Sequence, residues 1–184
     1  MRALQSVSQM INDSQMIRPY FILLLLFISS LCDAQSIEKR YSSHLSNTGV
    51  INFFHPQKLK KNTNLDMFAF DMTYISYNDS ITVNCSYRIQ TGSNIKSLSI
   101  TSDNNKIQGD DLSVLYREVQ KHGYEVRVTS RFSFSDIKNA FINSAPLVFE
   151  IVTNDGSCHT ASYRKSAWEK ESMNVTRILE SINY

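Results

Sequence analysis

Residues 67–89 read MFAFDMTYISYNDSITVNCSYRI. Successive side chains of an extended chain point to opposite faces, so Phe68, Phe70, Met72 and Tyr74 share one face, and Ala69, Asp71, Thr73 and Ile75 the other. Beyond Asn78 and Asp79 the alternation resumes, with Ile81, Val83, Cys85, Tyr87 and Ile89 set against Thr82, Asn84, Ser86 and Arg88. Asn and Asp tolerate positive φ, so a two-residue turn at Asn78-Asp79 predicts an antiparallel hairpin. That turn pairs Phe68 with Ile89, Phe70 with Tyr87, Met72 with Cys85 and Tyr74 with Val83. A one-residue slip would set these apolar side chains against Thr82, Asn84, Ser86 and Arg88, so the hydrophobic pattern is expected to specify the register. A lone hairpin is not stable in water, and other elements must cover its apolar face.

Toward the C-terminus, a turn at residues 92–94 leads into a strand over 97–101 with Leu98 and Ile100 inward, and then a polar loop over 102–108. Leu112, Leu115, Tyr116 and Val119 recur at helical spacing, with Asp110 placed to cap and Gly123 to terminate, which predicts a helix. Residues 124–133 alternate again, with Tyr124, Val126, Val128 and Phe132 on one side. Ser135 opens a short helix to Asn143 on a stripe of Ile137, Ala140 and Phe141. Pro146 blocks further helix, and residues 147–153 form an apolar strand. A loop at Asn154, Asp155 and Gly156 then sets Ile151 opposite His159, Phe149 opposite Ala161 and Leu147 opposite Tyr163. Ser166 and Glu169 have capping-box spacing before a last helix whose apolar face is Trp168, Val175, Ile178, Leu179 and Ile182.

Strands interrupted by helices predict an α+β fold, an antiparallel sheet with a central hairpin covered by two or three helices. The alternative is an immunoglobulin-like β-sandwich in which the two short helices are strands or loops.

Toward the N-terminus, residues 20–31, YFILLLLFISSL, form an apolar run shorter than the roughly 20 residues of a membrane-spanning helix. Arg18 precedes the run, and small residues follow at Cys32 and Ala34. The pattern is that of a signal peptide over residues 1–34, with a mature chain starting near Gln35. Met16 gives a more compact start than Met1. Residues 35–65 read as a flexible leader with one short strand, Gly49–Phe54, ended by His55-Pro56. Residues 66–184 then form a single globular domain. The expected location is secreted or periplasmic, with membrane contact only through the signal sequence.

The formal charge is +2, and removing residues 1–34 leaves it unchanged, since Arg2, Arg18, Asp13 and Asp33 leave together. That balance argues against nucleic acid as a partner. Lys58, Lys60 and Lys61 read as a solvated loop. Cys85 and Cys158 are the two cysteines of the mature chain, and in an exported protein such a pair is most simply a disulfide. Asn78, Asn84 and Asn174 each begin an N-glycosylation triplet.

No glycine-rich phosphate loop, G-x-S-x-G elbow or H-E-x-x-H motif occurs, and the histidines have no zinc-like spacing. No metal, cofactor or catalytic set is therefore expected. A cysteine-dependent hydrolase using Cys158 would need His44, His55 or His122 as base, because His159 faces the other way in a strand. The expectation is a non-enzymatic exported module that binds a protein or glycan, with Phe53, Phe54 and Tyr77 as candidate binding residues. An accessory structural role in the envelope is the other non-catalytic reading.

Overall fold

A computed structural model describes residues 39–59, 65–90, 92–143 and 145–182. The described residues from Arg40 onward form one compact unit. The signal peptide expected over residues 1–34, and Lys60 and Lys61, lie outside the described residues. Among the described residues, ten strands and two helices follow in order: β1 Tyr41–Ser46, β2 Gly49–Lys58, β3 Phe68–Ile75, β4 Ser80–Ile89, β5 Ile95–Ser102, β6 Asn105–Gln108, β7 Asp110–Gln120, β8 Gly123–Ser133, α1 Phe134–Ile142, β9 Val148–Thr153, β10 Cys158–Ser162 and α2 Lys165–Ser181.

The strands build two antiparallel sheets, one ordered β1-β2-β3-β4-β8-β7 and the other β10-β9-β5-β6. Their inner faces meet through Phe149 of β9, whose ring lies 5.2 Å from Phe68 and 4.5 Å from Phe70. Buried around this contact are Ile81, Val83 and Tyr87 of β4, Val126, Val128 and Phe132 of β8, and Leu98, Ile100 and Ile151 of the second sheet. Fully burying one such side chain stabilises the fold by about 1.5–3 kcal/mol.

The α+β expectation is thus corrected. A second sheet covers the first, and the arrangement is closer to a β-sandwich. The helices fill the part of the inner face that the four-stranded sheet leaves open. Phe134 of α1 stacks on Tyr74 at 4.1 Å, Phe141 stacks on Trp168 of α2 at 5.7 Å, and Val175 and Ile178 of α2 line a small gap with Phe54, Phe70 and Met72. Arg40 holds α2 from the start of the unit through a two-pronged ion pair with Glu171, in which Nη2 donates to Oε1 at 2.8 Å.

The central hairpin keeps the expected facing, with Phe68, Phe70, Met72 and Tyr74 buried and the intervening residues half-exposed. Its register moves by two residues, to Phe68 with Tyr87, Phe70 with Cys85, Met72 with Val83 and Tyr74 with Ile81. The cause is a wider turn. Tyr77 takes the positive φ (67°), the Asn78 N–H donates to the Ile75 carbonyl at 3.1 Å, and the Asn78 side chain accepts from the Ser80 N–H. A two-residue shift preserves which face each side chain occupies, which is why the pattern alone does not detect it.

Residues 110–120, expected as a helix, are strand β7. The polar stretch 102–108 holds a tight hairpin in which Asp103 and Asn104 both have positive φ, as the favoured two-residue turn requires, joining β5 to β6. Strand β2 runs on through His55-Pro56, because a bulge between Phe54 and Gln57 removes the need for a proline N–H. Strand β1 precedes β2 and pairs with it from Tyr41 opposite Phe54 to Ser46 opposite Gly49.

The C-terminal part follows expectation closely. His159 pairs with Ile151 and Ala161 with Phe149, and Trp168, Val175, Ile178, Leu179 and Ile182 are buried. The capping box does not form, since α2 begins at Lys165 with Arg164 as its uncapped N-terminal neighbour. The shorter helix is capped by Ser133, whose hydroxyl accepts from the Asp136 N–H.

Candidate functional site

Strand β7 pairs only with β8 among the described residues, so it is one edge of the six-stranded sheet. Alternate N–H and C=O groups of such a strand point away from its neighbour and stay open to a further strand. Val114, Leu115, Tyr116 and Val119 are 45%, 53%, 41% and 76% exposed, four of the nine large apolar residues that are exposed among those described. Scattered exposed apolar residues are ordinary, but a run of them on an open edge marks an interaction surface.

Two register shifts, between Asp110 and Ser113 and between Val114 and Tyr116, bend the first half of β7. From Tyr116 to Gln120 the pairing with β8 is regular: Tyr116 faces Arg127, Arg117 Val126, Glu118 Glu125, Val119 Tyr124 and Gln120 Gly123. The Tyr116 hydroxyl lies 3.3 Å from Glu125 Oε1, and Arg88 reaches the other oxygen at 3.4 Å. Arg117 donates to the carbonyls of Gly92 and Ser93 at 2.8 and 2.9 Å and so ties β7 to the loop before β5.

The side chains expected to bind do not form one site. Phe54 is core, edge-on to Tyr41 at 5.9 Å. Phe53 is partly exposed beside His44, and Tyr77 is exposed at the tip of the central hairpin. The β7 residues were hidden by their helical spacing. The signal that finds them is the β-branched and aromatic content of 112–120 followed by Gly123 and a strongly alternating strand, which together describe a hairpin.

The cysteines are not joined. Cys85 is sealed in the core on β4, where burial raises its thiol pKa, while Cys158 is exposed on β10, and neither forms a disulfide. Facing decides the outcome, because Cys85 points into the space between the sheets and Cys158 points out of it. His159 pairs with the buried Ile151 and turns inward, away from its neighbour, while His44 and His55 belong to the other sheet and His122 to the β7–β8 turn. A cysteine–histidine catalytic pair is not assembled from adjacent residues here. Among the described residues no three His, Cys, Asp or Glu side chains gather in a metal-binding group. None of the helices described is long and apolar enough to cross a membrane.

Of the three glycosylation triplets, Asn78 is exposed, Asn84 donates to Asp71 at 2.7 Å within the sheet, and Asn174 is buried. Cavities occur elsewhere among the described residues. One of about 350 Å³ lies between the end of β2 and the start of α2, with Lys58, Arg164 and Glu171 in its wall. Another, about 250 Å³, is bounded by Asp66, Arg88, Gln90 and His159.

No family model, curated protein or solved structure matches this chain.

Proposed function

We propose that this chain is a non-enzymatic, exported interaction module that binds a protein partner along the open edge of β7. The observation that carries the reading is the cluster of Val114, Leu115, Tyr116 and Val119 on a strand with one unoccupied side. Recognition by strand addition draws affinity from main-chain hydrogen bonds and specificity from alternate side chains, and it needs only such an edge. Export rests on the apolar run at residues 20–31. Polar replacements at Leu115 and Val119 leave the core untouched, because both side chains are exposed. Tagged mature chain, expressed in its native envelope and captured, is expected to retain a partner that Leu115→Asn/Val119→Thr loses. Equal recovery by the two proteins, with both folded by circular dichroism, would overturn the assignment of the surface. A native extract that yields no partner at all would overturn the module itself.

A further inference from the structure

Resting on that reading of the edge, we infer that the partner presents β7 with an extended segment in which apolar residues alternate with lysine or arginine. The argument comes from charge. Glu118 sits directly opposite Glu125 in the regular half of β7, and like charges directly opposed across a strand pair repel. Glu118 has no ion-pair partner among the described residues, and Arg88 meets Glu125 only at 3.4 Å. The adjacent Arg117 cannot serve Glu118, since neighbouring residues of a strand face opposite ways and its guanidinium is held by the Gly92 and Ser93 carbonyls. Asp110 and Asp111 are exposed at the far end of the strand, where Asp111 pairs with Arg131. The edge therefore carries apolar side chains together with unanswered negative charge.

A strand added beside β7 places one residue directly opposite Glu118, with Cβ atoms about 4.5–5.5 Å apart. A cation there meets Glu118 from its open side, and the residues before and after it fall on the face of Arg117 and Val119, where apolar side chains fit. A second copy of this chain does not supply that cation. Two copies paired antiparallel about a two-fold axis keep faces matched, so within the regular run Glu118 would meet Tyr116, Gln120 or another Glu118. The one cation of the run, Arg117, lies on the opposite face.

The test uses full mature chain and two synthetic strand peptides with the same apolar residues, alternating with lysine in one and glutamate in the other. Binding is read by fluorescence anisotropy. The lysine peptide is expected to bind about tenfold more tightly than the glutamate peptide, an attractive cross-strand pair replacing a repulsive one. Glu118→Lys is expected to reverse the preference, Glu118→Gln to flatten it, and Glu180→Lys, on the exposed side of α2, to leave it unchanged. Equal binding of both peptides to the parent chain would overturn the charge argument and leave the edge reading standing. Binding of neither peptide would overturn the inference, and if Leu115→Asn/Val119→Thr still abolished partner capture, the module reading would survive it. A dimer of the chain alone, dissolved by Leu115→Asn, would assign the edge to a second copy instead.

Discussion

Replacing Gly123 by alanine tests the placement of β8 against β4 more directly than any core deletion. Gly123 adopts φ +117°, a conformation that side chains rarely occupy, and holding a non-glycine residue in such a region costs about 1–3 kcal/mol. An added Cβ would also sit 3.0 Å from Gln90 Cα and closer still to the Ile89 carbonyl oxygen. Ile89 is buried and pairs with Tyr124 of β8, and the neighbouring Arg88 N–H donates to the Met67 carbonyl at 3.2 Å, so moving this backbone disturbs both contacts. Overpacking of that kind adds about 1–3 kcal/mol, for a total of about 2–6 kcal/mol. Gly156 supplies the control. It also has positive φ, +85°, but nothing lies within 4 Å of its would-be Cβ, so Gly156→Ala carries strain alone, about 1–3 kcal/mol. At about 2–4 °C per kcal/mol for a unit of this size, Gly123→Ala is expected to lower Tm by about 4–24 °C and Gly156→Ala by about 2–12 °C, with the clash separating the two. Thermal melts by circular dichroism and urea titrations with unchanged slopes measure both. Two variants equal within about 0.5 kcal/mol would refute the reasoning, because the clash with β4 would then be absent.

Two further outcomes follow from the same structure. Asp155 accepts hydrogen bonds from Ser93, Thr153 Oγ1 at 2.6 Å and the Ser157 N–H at 2.9 Å, with Ser93 the largest influence, and these hold its carboxyl below the usual range. A depressed folded-state pKa contributes stability above the unfolded value of about 3.9 that is lost as pH falls through the folded one. The Tm advantage of the parent chain over Asp155→Asn is therefore expected to shrink between pH 5 and pH 2 in the order-of-magnitude window set by those values, and an advantage constant with pH would contradict it. The mature chain is expected to take one alkyl group at Cys158 when native and a second at Cys85 only after unfolding; an intact mass that needs a reductant before any alkylation would refute the thiol assignment.

The residues that alternate without interruption disclosed their own structure. Strands β3, β4, β8 and β9 and the face of α2 all follow from apolar spacing, because in each the burial pattern has the period of the element. Strand β7 escaped for a local reason. Its two bulges break the period of two, and the leftover spacing of Leu112, Leu115, Tyr116 and Val119 coincides with a helical stripe. Fold class was lost with it, since a strand replaced a helix and the Asp103-Asn104 hairpin added β6. The candidate site went the same way: of the residues read as one helical face, Leu115, Tyr116 and Val119 are exposed on a strand. The Cys85–Cys158 pairing was attractive by count alone, and whether two side chains face each other across a sandwich is not encoded in their number.

Gly109 lies between β6 and β7 and carries the chain from one sheet to the other without a loop. Its N–H donates to Leu98 of the second sheet at 3.0 Å, the next residue's carbonyl accepts from Ser130 of the first at 2.7 Å, and an added Cβ would fall 2.6 Å from Phe132. A single peptide ribbon thus bonds to both sheets, the Ser130 contact being made by its hydroxyl, and Asp110 goes on to pair with Arg131 of β8. The two layers are tied together at this seam: a fluctuation that slides one past the other must break bonds in both, so the Gly109 amide is expected to exchange more slowly than the outward amides of the open β7 edge.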